Sequence, residues 1–189
     1  LAKVEAVASS AANVLVLGES GVGKVMIARA IHCLGARCEM ALCLVICAYI
    51  PKDLVERDFV GHVRGAFTGA ERDTPGKFVQ ADNGTLLMDD VEAIAPEVQA
   101  KFLRVVEDRV FEPVGSMRSK KLQARLVVAT NKPLEREIEK GRFRADLFYR
   151  LNVARFHIPP LRDRKEEIGK FAETFADEIA KEHGLRQPR

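Results

Sequence analysis

The segment GESGVGK, residues 18–24, constrains the fold of this chain more than any other stretch. It follows the apolar run VLVL, residues 14–17, which predicts a strand, and it precedes a helical pattern. Glycines let consecutive backbone N–H groups turn towards an anion, and a helix N-terminus favours negative charge. A lysine at the end of such a loop reaches the outer phosphates of a nucleotide. The sequence therefore predicts a phosphate loop formed by Gly18, Glu19, Ser20, Gly21, Val22, Gly23, Lys24 and Val25.

Short apolar runs alternate with helical patterns along the rest of the chain. The runs predicted as strands are LCLVIC (residues 42–47), TLLM (85–88), RLVVA (125–129) and VARFHI (153–158). Near-continuous apolar runs of this length are typical of strands that are covered on both faces of a parallel sheet. The predicted class is α/β, with a parallel five-stranded sheet between helices over residues 1–160.

Amphipathic stretches between these runs predict the helices that cover the sheet. Two stretches carry apolar stripes with helical spacing, one at Ile27, Ala30, Ile31 and Leu34 and one, after Pro96, at Val98, Phe102, Val105 and Val106. A further helix is predicted over TPGKFVQA, with Thr74 as its N-cap and Pro75 in its first turn.

Residues 161–189 are highly charged and predict the beginning of a second, helical subdomain, truncated to one helix. The apolar positions along one face of that helix are Ile168, Phe171, Phe175 and Ile179. No apolar run in the chain approaches the length of a membrane helix, and no N-terminal signal pattern is present. We therefore expect a cytoplasmic protein without a membrane partner, and the net charge of +3 is too small to indicate nucleic acid by itself.

Four cysteines fall within fifteen residues, at Cys33, Cys38, Cys43 and Cys47. Their spacing differs from the paired C-x2-C pattern of zinc sites. We therefore expect buried free thiols in a reducing compartment.

Two carboxylates end the predicted strand in LLMDD, at Asp89 and Asp90. The carboxyl ends of parallel strands meet at one edge of the sheet, so these residues are expected beside the phosphate loop. The general phosphate-loop pattern has Ser or Thr after the lysine as a magnesium ligand, where this chain has Val25. We expect Asp89 to hold Mg²⁺, directly or through water, and Asp90 to orient or deprotonate the water that attacks ATP.

The segment GAFTGA places an aromatic residue in a short, glycine-flanked stretch that cannot be a core strand. Its residues are Gly65, Ala66, Phe67, Thr68, Gly69 and Ala70. Burying a Phe side chain contributes about 1.5–3 kcal/mol, so a Phe at a loop tip indicates a contact with something else. The residues alone leave two alternatives open, namely an interaction surface and local packing.

The motifs GESGVGK, GAFTGA, LLMDD, VVATN and GRFRADLFYRLNV occur in this order over residues 14–161. Together they resemble the AAA+ domain of bacterial enhancer-binding activators of sigma-54 RNA polymerase. The resemblance implies that the GAFTGA loop projects from an ATPase ring and that Phe67 and Thr68 contact sigma-54. It also implies ATP and Mg²⁺ as cofactors, self-association into a ring, with the hexamer as the family's working form, and DNA contact only through a domain that this chain lacks.

The same resemblance assigns roles to three polar residues outside the two loops. Asn131 corresponds to the sensor of the γ-phosphate, and Arg144 and Arg150 correspond to arginine fingers that reach into the neighbouring subunit's nucleotide site. Residues 111–123 occupy the place of a second pore-side loop, although a solvated basic loop explains their composition equally well.

The chain departs from the family pattern at four positions near these motifs. Asp90 stands where the family usually has Glu, Ile46 where it has an Asn that restrains that Glu, and Val25 and Val63 where it has acidic residues. These departures leave two hypotheses, a mechanochemical ATPase that remodels sigma-54 polymerase and a nucleotide-binding interaction module that hydrolyses poorly. A small-molecule kinase is disfavoured, because only the phosphate loop supports it.

Overall fold

The computed structural model describes residues 2–184 of the chain. They form two compact units that divide between Ile158 and Pro159. The helices of the first unit are α1 (Ala2–Ala8), α2 (Lys24–Cys33), α3 (Val55–Val60), α4 (Lys77–Gln80), α5 (Pro96–Asp108), α6 (Leu134–Glu139) and α7 (Ala145–Leu151). Its strands are β1 (Val14–Leu17), β2 (Leu42–Ile46), β3 (Gly61–His62), β4 (Thr74–Pro75), β5 (Thr85–Asp89), β6 (Val110–Phe111), β7 (Lys120–Lys121), β8 (Arg125–Thr130) and β9 (Ala154–His157). Short 3₁₀ turns at Cys47–Tyr49 and Val91–Ala93 follow β2 and β5.

The central sheet has five parallel strands in the order β2-β5-β8-β1-β9. All residues of β1 and β8 are buried, as the apolar runs predicted. Alternate side chains of β1 enter different cores, Leu15 and Leu17 on one face and Val14 and Val16 on the other. The prediction of a parallel five-stranded α/β sheet between helices is therefore confirmed.

The helix α5 shows how local sequence and packing agree. Pro96 occupies its first turn, where the missing N–H is not needed, and the helix ends at Arg109 in a left-handed conformation with φ 57°. Phe102, Val105 and Val106 of the predicted stripe are buried against the sheet. The stripe of α2 is less complete, because the helix ends at Cys33 and Leu34 is 52% exposed.

The predicted helix start at Thr74 and Pro75 is wrong. These two residues form β4, which pairs antiparallel with Gly61 and His62 of β3, and α4 begins only at Lys77. A Cβ on Gly76, the residue before α4, would lie 2.2 Å from the Gly61 backbone nitrogen. The pairing of two segments that flank the GAFTGA loop thus takes precedence over a local capping signal.

The expectation of four buried thiols is also wrong in part. Cys47 is buried and Cys43 is half-buried, whereas Cys33, the last residue of α2, and Cys38 are exposed. All four are free, and residues 2–184 contain no group of three or more His, Cys, Asp and Glu side chains that could hold a metal ion. The four cysteines lie at the end of α2, in the following turn, in β2 and in the 3₁₀ turn after β2, so their sulfur atoms are in different environments.

The second unit begins with 3₁₀ turns at Leu161–Asp163 and Lys165–Glu167 and continues as α8 (Ile168–His183). On α8 the Phe171 and Phe175 rings are stacked with centroids 6.3 Å apart. Residues 185–189 of the predicted lid segment lie outside the described residues. No helix among residues 2–184 is long and apolar enough to cross a lipid bilayer.

Candidate functional site

The phosphate loop joins β1 to α2 through two glycines in left-handed conformations. Gly21 has φ 81° and Gly23, immediately before α2, has φ 96°. Other residues rarely adopt these angles, so glycine is needed where the loop turns its N–H groups inward. A Cβ on Gly18 would lie 2.7 Å from Val22 Cγ2 and 2.9 Å from the Ile158 carbonyl oxygen, which shows how tightly the loop begins.

Lys24 is the buried cation of this loop. Its side chain is 7% exposed, and its Nζ donates a hydrogen bond of 3.0 Å to the Glu19 carbonyl oxygen. The amine therefore lies across the loop that precedes it, which is where the outer phosphates of a nucleotide would be. Ser20 and Glu19 are exposed, and Val25 follows Lys24 in the first turn of α2 as a half-buried side chain.

The sheet brings the polar ends of three strands together. Leu17 at the end of β1 is in register with Thr130 at the end of β8, and the Gly18 N–H donates to the Thr130 carbonyl oxygen over 3.3 Å. Asn131 follows β8, and its Nδ2 donates a hydrogen bond of 3.4 Å to Asp90 Oδ1. The phosphate loop, the predicted sensor and the predicted water-activating carboxylate therefore share one edge of the sheet.

Asp90 has a backbone conformation that accounts for its identity. Its φ of 52° and ψ of 47° lie in the left-handed region, where Asp and Asn are several-fold enriched among non-glycine residues. Its N–H donates to Asp89 Oδ1 over 3.0 Å. Ile46 is in register with Asp89 on the neighbouring strand β2 and supplies no polar group to it. The amide that contacts Asp90 comes from Asn131 instead.

Magnesium chemistry fits the carboxylate of Asp89. Among the described residues, its one hydrogen bond goes from the Asp90 N–H to Oδ1, which leaves Oδ2 open to a cation. Mg²⁺ in nucleotide sites is held by one or two carboxylates together with phosphate oxygens and water. Asp89 would therefore hold the ion, which supplies charge neutralisation at the outer phosphates when bound.

Glu92 also lies at this edge of the sheet, although no motif in the sequence indicated it. Its Oε2 accepts a hydrogen bond of 2.6 Å from the Thr130 hydroxyl, which ties the turn after β5 to the end of β8. Burial raises the pKa of Glu92, and the Thr130 hydrogen bond acts in the opposite direction. Burial also raises the pKa of the Cys47 thiol well above its usual range, and the charges of Asp90, Glu92 and Asp89 raise it further. Cys47 is thus a neutral side chain next to the carboxylates.

The two predicted finger arginines lie at the start and near the end of α7, and both form ion pairs within the subunit. Arg144, the residue before α7, makes an ion pair of 2.7 Å with Asp146, which lowers the pKa of that carboxyl. Arg150, near the end of α7, makes an ion pair of 2.7 Å with Glu107 of α5. Both arginines are exposed, so they lie on a surface that a second subunit can approach.

The GAFTGA loop is a closed turn that extends from the β3–β4 hairpin. The Gly65 N–H donates to the Ala70 carbonyl over 2.8 Å, and the Ala70 N–H donates to the Phe67 carbonyl over 3.0 Å. Gly65 and Gly69 have φ of 80° and 93°. A Cβ on either glycine would meet no atom within 4 Å, so the backbone conformation alone requires glycine there.

The Phe67 ring packs against residues outside the GAFTGA loop. Its ring centroid lies 4.9 Å from that of His62, and the Arg57 guanidinium carbon of α3 lies 4.7 Å above the ring. Phe67 and Ala66 are half-buried, whereas Thr68 is exposed. Of the two alternatives that the sequence left open, local packing applies in part to Phe67, because two neighbouring side chains cover its ring, whereas Thr68 is exposed.

The second predicted loop contacts the first. The Val63 N–H donates to the Val114 carbonyl over 3.1 Å, and the Val114 N–H donates to the Gly61 carbonyl over 2.9 Å. A Cβ on Gly115 would lie 2.6 Å from the Ala66 Cβ, so Gly115 allows the two loops to touch. Residues 111–123 are therefore attached to the base of the GAFTGA loop through Val114 and Gly115. Their basic composition alone does not indicate this contact.

The strand order, the glycine loop after β1 and the carboxylates after β5 define a P-loop NTPase domain of the AAA+ class. A family model described as the sigma-54 interaction domain matches residues 1–157. The chain belongs to this family.

Three relatives illustrate the similarity. The Nif-specific regulatory protein of Azospirillum lipoferum is 45% identical over 98% of this chain, which spans 30% of that protein. The Nif-specific regulatory protein of Azotobacter vinelandii is 46% identical over 96% of this chain, which spans 35% of that protein. The crystal structure of NtrX from Brucella abortus in complex with ATP superposes with a TM-score of 0.89 at 34% identity, covering 100% of this chain and 42% of NtrX. The chain thus spans about a third of the length of the curated relatives it matches.

Proposed function

We propose that this chain binds ATP with Mg²⁺, hydrolyses it in a ring of subunits and uses the cycle to remodel sigma-54 RNA polymerase. The observation that carries the proposal is the meeting of the Gly18 loop, Asp90 and Asn131 at one sheet edge. Membership of the sigma-54 interaction family and the similarity to ATP-bound NtrX support it.

The chemistry assigns one task to each group at the edge. Lys24 and the loop N–H groups neutralise the outer phosphates, and Asp89 holds the cation. Asp90 orients the attacking water and accepts its proton, while Asn131 holds the Asp90 carboxylate through the amide contact of 3.4 Å. Phosphoryl transfer depends mainly on positioning and electrostatic stabilisation, which these residues supply.

The proposed reaction also requires arginines from a second subunit. Arg144 and Arg150 would stabilise the charge on the transferring phosphoryl group in a neighbour's site, where a finger contributes roughly 10³–10⁵ in rate. For this role Arg150 must exchange its ion pair with Glu107 for the neighbour's nucleotide. A head-to-tail contact of this kind closes into a ring, for which we propose six subunits.

The protein concentration dependence of ATP turnover tests this proposal. If sites are shared between subunits, the rate per subunit rises with concentration as rings assemble. A constant rate per subunit would contradict shared sites. Bound nucleotide without turnover above background at any concentration would contradict hydrolysis and indicate a nucleotide-binding interaction module.

Mixing variants tests the arginine in trans directly. Lys24→Ala subunits keep Arg150 but lose their own site, and Arg150→Ala subunits keep their own site but offer no finger. Each variant alone should be inactive, and the mixture should recover turnover at the interfaces where an intact site meets an intact arginine. Arg136→Ala, an exposed arginine on α6, is the matched control and should turn over ATP like the parent.

A further inference from the structure

Gln99 is a fully buried amide on α5 with an exposed fraction of 0%. Its Nε2 donates hydrogen bonds to the Ile94 carbonyl over 2.7 Å and to the Arg142 carbonyl over 2.9 Å. Its Oε1 accepts a hydrogen bond of 2.8 Å from the Arg144 N–H. One side chain thereby satisfies three backbone groups that belong to two distant parts of the chain.

These two parts are the ones that the proposed reaction must coordinate. Ile94 ends the turn that starts at Asp90, the second of the two carboxylates. Arg142 and Arg144 belong to the segment that leads into α7, and the second predicted finger, Arg150, lies within α7. The Gln99 amide is therefore a direct link between the carboxylate turn and the start of the arginine segment.

Two side chains accept N–H groups at the start of α7: Asp146 Oδ1 accepts the Leu147 N–H over 2.8 Å, and Gln99 Oε1 accepts the Arg144 N–H. Arg144 is the N-cap residue of α7 and makes no side-chain capping bond, so its own N–H depends on Gln99. The segment before it is also attached to α6, because Glu137 accepts two hydrogen bonds from the Arg142 guanidinium at 2.7 and 2.8 Å. The side-chain attachment to α6 positions Arg142, and the Gln99 bond positions the backbone at Arg144.

Packing alone does not explain a glutamine at this position. A buried polar group without partners destabilises a protein, whereas an apolar side chain of similar shape would fill the same volume. Here both donors and the acceptor of the amide are used, and all three partners are backbone groups at buried or partly buried positions. The arrangement therefore specifies one position of the α7 start relative to α5.

We propose that Gln99 is a positioning residue that places Arg144 and Arg150 for their action in the neighbouring subunit's nucleotide site. The inference rests on the proposed function, because it requires the arginines to act in trans. Gln99 does not contact nucleotide. It acts through the backbone of residues 142–144, which directly precedes α7 and its Arg150.

The expected effect of losing this amide is a displaced arginine, with the subunit's own site intact. A misplacement of about 1 Å at a catalytic group can lower the rate on the order of 100-fold. Gln99→Met removes all three hydrogen bonds at nearly constant volume. We expect its kcat to fall about 100-fold, while its affinity for ATP stays within about twofold of the parent, since uniform binding is untouched.

The experiment mixes the Gln99→Met chain with the Lys24→Ala chain and measures ATP turnover. The Gln99→Met subunits supply an intact nucleotide site, and the Lys24→Ala subunits supply correctly placed arginines, so turnover should recover. Gln99→Glu is the second variant, because it keeps an oxygen for the Arg144 N–H and loses only the two bonds to the Ile94 and Arg142 carbonyls. The matched control is Thr85→Val, which removes the buried 2.9 Å contact between Thr85 and His32 at the opposite end of β5 and should leave kcat unchanged.

The outcomes separate this inference from the proposed function. If the mixture of Arg150→Ala with Lys24→Ala recovers turnover and neither Gln99 variant does, Gln99 does not act in trans and the inference is wrong. If no mixture recovers turnover, the arginines themselves do not act in trans and both proposals fail. Parental kcat in Gln99→Met, or loss of ATP affinity in both Gln99 variants, would also overturn the inference, because the amide would then serve only the fold or its own site.

Discussion

The nucleotide edge and the GAFTGA loop lie in the same unit but are held by different forces. At the nucleotide edge, strand register places Leu17 beside Thr130 and Ile46 beside Asp89, between two buried cores. The GAFTGA loop has only a two-residue hairpin at its base, a few backbone hydrogen bonds and one half-buried ring. Gly65 and Gly69 have open space around them, and the loop packs mainly through the Phe67 ring and through the contact of Ala66 with Gly115.

This difference shows that the nucleotide edge is preorganised and that the GAFTGA loop can move. Displacing a strand end would disrupt the parallel ladder and the side chains of both cores, of which each fully buried Leu or Val contributes about 1.5–3 kcal/mol. Moving the GAFTGA loop would break a cation–π contact and a few hydrogen bonds at the surface. Segments of low local stability are the ones that act as switches and binding loops. We therefore expect mutations at the edge to change chemistry and mutations in the loop to change partner binding.

The largest effect should come from Lys24→Ala at the nucleotide edge. The outer phosphates would lose the buried amine of the loop, so ATP turnover should fall to background and ATP affinity should weaken strongly. Titration with a fluorescent ATP analogue and a steady-state ATPase assay measure the two quantities. Arg29→Ala, which removes an exposed cation from the same helix, is the control and should behave like the parent. Parental affinity and turnover in Lys24→Ala would show that the loop does not bind phosphate.

On the loop side, Thr68→Ala should weaken the binding of sigma-54 at least about tenfold, which corresponds to 1.4 kcal/mol. The reason is that Thr68 is the exposed side chain of the tip, while Phe67 is partly covered. Binding is measured by titration of sigma-54 with a transition-state mimic of ATP present. Thr74→Ala is the matched control, since Thr74 is also an exposed threonine but lies on β4, outside the loop. Equal affinities of Thr68→Ala and the parent would remove Thr68 from the contact.

A moderate effect is expected for Asp90→Glu, which lengthens the carboxylate by one methylene. The added reach should raise kcat, by about tenfold if the carboxylate of Asp90 now stands roughly 1 Å too far back. The left-handed backbone at residue 90 suits Asp better than Glu, so the variant should also be slightly less stable than the parent. Steady-state kcat and the midpoint of thermal unfolding measure the two changes. A kcat equal to or below that of the parent, in folded protein, would contradict the view that Asp90 is a weakened base.

The smallest effect should come from Arg57→Ala beside the loop. A cation–π contact at a partly exposed site contributes about 0.5–1 kcal/mol, so its loss should release Phe67 and strengthen sigma-54 binding about two- to fivefold. The same titration measures this change. Arg72→Ala is the control, because Arg72 is an exposed arginine close to the loop in sequence. Weaker binding in Arg57→Ala would mean that Arg57 itself contacts the partner and that it does not restrain the ring.

The motifs and periodic apolar positions were sufficient to predict the five strands, the α5 stripe and the phosphate loop. These features depend on local information, since period-two and period-3.6 burial and glycine turns are written into neighbouring residues. Asp90 and Asn131 both follow buried parallel strands, which end at one edge of the sheet. The structure places their side chains 3.4 Å apart.

Contacts between distant segments were decided only by the tertiary structure. Thr74 and Pro75 carry a helix-start pattern, yet they pair with β3 because the GAFTGA loop brings them together. Arg57 meets Phe67, Gln99 meets Arg144 and Glu107 meets Arg150 across ten to forty-five residues of sequence. No spacing rule predicts such partners, because their energies depend on the positions of elements that have already packed. The amino-acid sequence by itself therefore determined the sheet, the loop after β1 and the carboxylates at its edge, whereas packing between elements decided which side chains restrain Phe67 and which hold the arginines.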